Sequence, residues 1–412
     1  MDVTITPAKL KGTVIPPPSK SQAHRVLIAA ALSGGVSRID NVVLSQDIEA
    51  TVGCLERFGA VFERDGNVVA VQGMAANPIS SPGHLVRPQL DCGESGSTLR
   101  FLIPVALAVH GSGVFIGRGR LMERPLKPYF DLFDEKGIFH EQKDGRLTVR
   151  GLLTPGEYRL PGNVSSQFVT GLLYALPLLN GDSEIVLTSP LESRGYVDMT
   201  LDAMGLFSVY PEARENGFFI PGNQRYQSQN FAIEADWSQA GFWYAAKLLG
   251  SALEVGGMDP GSAQGDRVIL DQYAELSKPG DVELDVSGCP DLVPPLAAMA
   301  ALRTGQTTRL TNAARLRIKE SDRLAAVTRV LGALGADITE EPDRLSIRGR
   351  DSLTGGVKVD SFNDHRIAMM AAVAATRCVK PVTITGAECV AKSYPHFWED
   401  FEALGGKIQK SG

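Results

Sequence analysis

Residues 21–32 read SQAHRVLIAAAL, a polar turn followed by a run of small apolar side chains. Serine is a common helix cap, and a helix that is apolar on every side must be buried, so this stretch predicts a capped core helix. The passage recurs five times, as ESGSTLRFLIPVAL (94–107), SSQFVTGLLYALPLL (165–179), SQAGFWYAAKLLG (238–250), CPDLVPPLAAMAAL (289–302) and NDHRIAMMAAVAA (363–375). The starts are 73, 71, 73, 51 and 74 residues apart. Such a period marks an architecture built from one repeated supersecondary unit. Each polar loop opens a helix whose first N–H groups are unpaired, so several of these ends facing one cleft would trap anions.

Between these stretches lie amphipathic patterns: DIEATVGCLERFGAVFE from Asp47, RPLKPYFDLFDEKGIFHE from Arg124, YVDMTLDAMGLFS from Tyr196, DRVILDQYAEL from Asp266, ESDRLAAVTRVLGALGADI from Glu320 and YPHFWEDFEALGGKI from Tyr394. Apolar residues fall at helical spacing and most patterns end at Gly, a usual helix stop. Strand patterns such as NVVAVQG, RLTVRG, GFFIPG and RLSIRG follow. Each unit reads as helix, strand, second helix, strands. Six such units predict an α/β protein with buried helices inside and sheets around them, in two halves of three units. The polar stretch GNQRYQSQNF from Gly222 is the expected crossing between halves, and PPPSK from Pro16 is a second stiff joint.

A chain of 412 residues suggests about two to four domains. Its net charge of -6 gives no global basic field for nucleic acid or an acidic membrane, so any anion site is a local gathering of cations. The longest apolar run, the nine residues IAMMAAVAA from Ile367, is far short of the ~20 that span a bilayer. The start, MDVTITPAKLKG, alternates like a strand and holds no apolar signal core, so the expected compartment is the cytoplasm. The five cysteines form no CxxC, and an odd count indicates neither a disulfide framework nor a zinc knuckle; they are expected as buried free thiols.

The polar loops carry the chemistry. PSKSQAHR puts Lys20 and Ser21 at a helix start and Arg25 one turn in. GESGSTLR, from Gly93, is a turn of small residues that lets a ligand reach the backbone. SSQ from Ser165 supplies hydroxyls and an amide, while Arg124 and Tyr196 open second helices. In RIKESDRL, from Arg317, Lys319 and Arg323 share a helix face if one helix includes both, with Glu320 beside them to move a proton. NDHR places His365 and Arg366 before an apolar helix; Lys392 precedes the last helix; Asp291 sits at the start of the fifth. Each feature alone also reads as a helix cap or a solvated charge. Eight basic residues, Lys20, Arg25, Arg100, Arg124, Lys319, Arg323, Arg366 and Lys392, nevertheless stand at or near starts of repeated units. In an acidic protein that pattern fits a small, highly charged anion.

Taken together, PSKSQAHR, GESGSTLR, ERPL, SSQ, SRGYVD, RIKESDR, FNDHR and AKSYP resemble the enolpyruvyl transferase family, in the family's order and over nearly the whole chain. The resemblance implies a two-domain inside-out α/β barrel, or prism, of six βαβαββ-type units, with residues 1–19 and 230–412 in one domain and 20–229 in the other. It places the active site in the interdomain cleft. It implies transfer of the enolpyruvyl group from phosphoenolpyruvate to the 5-hydroxyl of shikimate 3-phosphate through a tetrahedral intermediate, on the route to chorismate and the aromatic amino acids. No metal or organic cofactor is implied, and the chain is expected as a monomer.

By the same resemblance Lys20, Asp291, Glu320 and His365 are catalytic or stand beside the reacting atoms. Ser21, Arg25, Ser165, Ser166, Gln167, Ser193, Tyr196, Asp291 and Lys319 hold shikimate 3-phosphate. Lys20, Gly96, Arg124, Gln167, Arg323, Arg366 and Lys392 hold phosphoenolpyruvate. Gly96 keeps the small residue at which glyphosate is contacted, which implies inhibition by glyphosate. The chain departs from the enteric-type pattern in having Glu94-Ser95-Gly96-Ser97 for Asn-Ala-Gly-Thr, and Arg315 for an Asn. Two alternatives remain: the sister activity on UDP-N-acetylglucosamine, whose Lys-Asn pair and loop cysteine are missing here, and a non-catalytic repeat scaffold for an anionic partner.

Overall fold

The computed structural model describes residues 1–76 and 87–412. Helices grow from their caps. The side chains of Ser95, Ser165, Asp236, Asp322 and Asp364 each accept a hydrogen bond from a backbone N–H in the first turn of the helix that follows. The chain divides into two compact units, Lys20–Glu234 and Met1–Ser19 with Ala235–Gly412. Each has its own hydrophobic core.

The 20–234 unit holds helices α1 (Lys20–Leu32), α2 (Gln46–Phe58), α3 (Gly96–His110), α4 (Lys127–Lys136), α5 (Ser166–Ala175) and α6 (Arg194–Leu206). The apolar helices are its centre: every residue of α1 from Ala23 to Leu32 is buried, and so is all of α3 from Thr98 to Ala108. Gly171 lets α5 approach α3, because a Cβ there would strike the Tyr129 hydroxyl and the Arg100 carbonyl. Three sheets of four strands share one order. In the third, Gly156–Leu160 runs parallel to Ser183–Leu187, then Gly217–Ile220 and Glu212–Arg214 follow as an antiparallel hairpin. The parallel pair needs a crossover helix, which α5 provides. In the first sheet the leading strand is Phe231–Ala232, paired with Ile39 and Asp40, so the end of this unit closes on its beginning. The stretch 222–231, expected as the crossing, therefore folds into this unit, and the division falls at Glu234–Ala235.

The second unit holds α7 (Trp237–Leu248), α8 (Ile269–Leu276), α9 (Val293–Ala300), α10 (Arg323–Leu334), α11 (His365–Ala375) and α12 (Phe397–Ala403). All of α9 and α11 is buried. One sheet repeats the order seen above, with Val282–Asp285, Thr307–Thr311, Arg344–Arg348 and Asp337–Glu341. In the last repeat the N-terminal strand Asp2–Thr6 takes the third place, between Val382–Thr385 and Lys407–Ser411. In the fourth repeat only Lys11–Val14 and Ala252–Val255 pair, and Val282 follows α8 with no hairpin between them. That missing hairpin accounts for the interval of 51 residues among intervals of 71–74. The α/β class with helices buried in repeated units is thus present, with a shortened fourth repeat.

Among the described residues no helix is long and apolar enough to cross a membrane. All five cysteines are free and buried.

Candidate active site

In the 20–234 unit, Lys20 opens α1 and its Nζ lies 2.7 Å from Oδ2 of Asp47, in the first turn of α2. Arg25, one turn along, is 3% exposed. Its Nε donates to Thr200 Oγ1 (2.9 Å), Nη2 to the Tyr196 carbonyl (2.8 Å) and Nη1 to the Ser21 carbonyl (2.7 Å), while Phe101 lies 5.2 Å beneath it. Arg25 thus pins the start of α1 to α6 and gathers Ser21 and Tyr196. Ser193, buried, precedes α6 in a left-handed conformation (φ 54°). Behind these residues His24 Nδ1, Thr51 Oγ1, Thr98 Oγ1 and Ser95 Oγ form a chain of bonds of 2.7, 2.6 and 2.7 Å that ties α1, α2 and α3 together. Burial, helped by Lys20 and Arg25, holds His24 well below the usual imidazole range, so it is neutral near pH 7.

The turn before α3 meets two guanidiniums. A Cβ on Gly96 would lie 2.7 Å from Arg124 Nη1 and 3.0 Å from Arg100 Nη1. Arg100 Nη1 donates to Gln167 Oε1 (2.8 Å), and Gln167 Nε2 donates to Ser97 Oγ (3.0 Å). Gly96, Arg124 and Gln167 therefore stand around Arg100. Ser165 caps α5 by accepting from the Gln167 backbone N–H (3.3 Å), and Ser166 begins that helix, buried.

In the other unit a cluster of acids and bases centres on Asp291. Its Oδ1 is 2.9 Å from Arg323 Nη1 and 3.6 Å from Lys319 Nζ, and its Oδ2 is 3.0 Å from Arg366 Nη2. Burial opposes the charge on Asp291, but Arg366, Lys319 and Arg323 outweigh it and hold the carboxyl well below its usual range. Arg323 is 1% exposed; it reaches Glu320 Oε2 at 2.7 Å and Asp364 Oδ2 at 2.9 Å. Arg366 also donates to Ser238 Oγ (2.6 Å). His365 is buried between Asp364 and Arg366 in sequence, and the buried Lys392 donates to the Asn363 carbonyl at 2.7 Å. Burial lowers the Lys319 ammonium to about 8 despite the opposing pull of Asp291.

Lys319 and Arg323 do not share a helix face. Asp322 caps α10, which begins only at Arg323, and Lys319 ends the short 3-10 turn Ala314–Ile318 in an extended conformation. The two cations meet through Asp291 instead. Among the described residues no group of three or more His, Cys, Asp or Glu is arranged to hold a metal ion.

The model of the EPSP synthase (3-phosphoshikimate 1-carboxyvinyltransferase) family matches residues 5–401. The chain belongs to the EPSP synthase family. It is 47% identical to the 3-phosphoshikimate 1-carboxyvinyltransferase of Clostridium kluyveri over 99% of its length and 98% of that relative. With the enzyme of the same name from Clostridioides difficile it shares 43% identity, over 98% of each chain. The solved EPSP synthase of Acinetobacter baumannii superposes with a TM-score of 0.80 over 99% of this chain and 100% of that one; at 23% identity this shows the fold.

Several supports of these EPSP synthase family motifs lay outside the sequence reading. Asp47 holds Lys20, Thr200 holds Arg25, Ser238 holds Arg366 and Asp364 holds Arg323. Asp364 and Ser238 had a visible signal, since each stands at the opening of a repeated stretch. Asp47 and Thr200 did not: they belong to ordinary amphipathic patterns, Asp47 as the first residue of one.

Proposed function

We propose that the protein transfers the enolpyruvyl group of phosphoenolpyruvate to the 5-hydroxyl of shikimate 3-phosphate and releases inorganic phosphate. The observation that carries this reading is the pair of carboxylates Asp291 and Glu320, both held by the buried Arg323 among Lys319 and Arg366. Anion binding calls for the cations, and proton movement calls for a carboxylate that keeps some access to water. Glu320 and Asp291 keep 18% and 20% exposure of their side chains.

In the addition step the 5-hydroxyl oxygen bonds to the enol carbon, the hydroxyl proton leaves, and a proton joins the methylene carbon. Glu320 is assigned that methylene proton, and Asp291, held ionised by three cations, is assigned to the hydroxyl. In the elimination step the methyl group returns a proton, the C–O bond to phosphate breaks, and the enol ether forms. Lys20 and His365 are assigned to the reacting groups. Gly96, Arg124, Gln167, Arg323, Arg366 and Lys392 are assigned to phosphoenolpyruvate. Ser21, Arg25, Ser165, Ser166, Ser193, Tyr196 and Lys319 are assigned to shikimate 3-phosphate, with Gln167 serving both. Fixed cations offset the repulsion between the two polyanions and stabilise charge without reorganising. We place the reaction in the cytoplasm, carried out by a monomer without metal or organic cofactor and inhibited by glyphosate.

The test is release of inorganic phosphate from phosphoenolpyruvate with and without shikimate 3-phosphate. Release that requires shikimate 3-phosphate is expected. Release that requires UDP-N-acetylglucosamine instead, or none with either acceptor, overturns the reading.

A further inference from the structure

Arg100 is a buried cation beside the Gly96 turn to which the substrate assignments give no role. It is 4% exposed. Nη1 donates to Gln167 Oε1 (2.8 Å), Nη2 donates to the Pro125 carbonyl (3.3 Å), and the Phe168 ring lies 5.3 Å beneath. The same Nη1 is 3.0 Å from the place a Cβ on Gly96 would occupy.

A guanidinium has donors and no acceptor, so the Gln167 atom facing it must be the amide oxygen. This fixes the other end of the amide. Nε2 carries two hydrogens; one goes to Ser97 Oγ at 3.0 Å, and the other is available to a ligand oxygen. A flipped amide would turn an oxygen lone pair toward an anion and repel it. Pro125 follows Arg124, so the second arm of Arg100 holds the backbone beside that arginine. One buried side chain therefore touches the neighbourhood of Gly96, Arg124 and Gln167, three residues from different repeats or loops.

We propose that Arg100 is a positioning residue, which orients the Gln167 amide with its NH2 end toward bound phosphoenolpyruvate and fixes the loop of Arg124, so that the anion meets donors only. The proposal rests on the assignment of Gly96, Arg124 and Gln167 to that substrate.

Two variants test it. R100M keeps the bulk and removes every donor; R100K keeps the charge but cannot reach Gln167 and Pro125 together. Both should raise KM for phosphoenolpyruvate by about tenfold or more, the loss of a charged hydrogen bond, and raise KM for shikimate 3-phosphate, which is assigned Gln167 but not Arg124, by a clearly smaller factor. In a Q167A background, R100M should cost clearly less than it does alone, because the two act as a unit. An equal rise in both KM values, full multiplicativity with Q167A, or no change in either variant would overturn the proposal. A second readout needs no turnover: the side-chain amide NMR signal of Gln167, assigned by its loss in Q167A. It should be exchange-protected in the wild type and move to the solvent-exposed amide position in R100M; an unchanged signal overturns the proposal. If the wild type releases no phosphate from phosphoenolpyruvate, the functional reading fails while this signal still decides the role of Arg100.

Discussion

Lys319 Nζ stands 3.6 Å from Asp291 Oδ1, the longest of the three cation contacts that this carboxylate makes. The attraction is too weak to offset burial, and the ammonium is lowered to about 8. A base with a lowered pKa loses its charge as pH rises through that value. Binding of shikimate 3-phosphate should therefore weaken above pH ~8, seen as a rising KM, with the break at higher pH in the bound complex because the anion favours the charged lysine. K319R should remove this break, since guanidinium stays charged. A flat wild-type profile from pH 7 to 9.5 would count against a binding role for Lys319.

Glu320 can be separated from its ion pair. E320Q keeps an oxygen for Arg323 Nη2 but cannot carry a proton. We expect kcat to fall by about 10²–10⁴-fold with both KM values little changed, and solvent hydrogen exchange into the phosphoenolpyruvate methylene to fall in parallel. A kcat within threefold of wild type would assign the proton transfer elsewhere.

Gly96 and Gly171 should respond differently to alanine. At Gly96 the new methyl meets the ends of two long side chains, Arg124 and Arg100. G96A should fold with near-normal Tm and raise KM for phosphoenolpyruvate by roughly tenfold, about 1.4 kcal/mol. At Gly171 the methyl meets a backbone carbonyl and the Tyr129 hydroxyl between α3 and α5. G171A should lower Tm by several degrees or prevent folding, as overpacking by ~1–3 kcal/mol implies. Equal thermal shifts in the two variants would contradict this contrast.

Asp364 is fully buried and joins two cation carriers, Arg323 through its carboxylate and Arg366 through its backbone N–H. D364N keeps a competent cap but removes the charge that faces Arg323. Breaking a buried pair from one side costs about 3–5 kcal/mol, so Tm should drop markedly and KM for phosphoenolpyruvate should rise. Asp291 bears on stability, where Lys319 is assigned to binding. Its pKa is depressed, so its stabilisation is present above the ordinary carboxylate range and is lost as pH falls through the lower folded value. Thermal melts of D291N and wild type should therefore converge in strong acid; a constant gap down to that range would exclude this source of stability.

The repeats were legible because their signal is local: a cap, then ten or so small apolar residues, with a near-constant interval. The short interval of 51 was visible, but its cause was not, because nothing in a sequence marks a hairpin that is missing. The start of α10 was misread for a related reason. In KESDR the spacing of Lys319 and Arg323 fits a helix, whereas Asp322 competes as a cap and wins by accepting from the Ala325 N–H. The partners of the site cations were the least legible. Lys20–Asp47 and Arg25–Thr200 join residues 27 and 175 apart, and only the packing of one helix on another brings them together.

The place of Asp2–Thr6 between Val382–Thr385 and Lys407–Ser411 also orders the assembly of the second unit. Asp2–Thr6 thus finds both of its neighbours far along the sequence, and the amino group of Met1 meets Glu388 at 2.9 Å. Until those neighbours are in place, that strand is an unpaired edge awaiting partners. The 20–234 unit is continuous in sequence and can mature first, whereas the second unit can close only once Lys407–Ser411 is in place to pair with Asp2–Thr6.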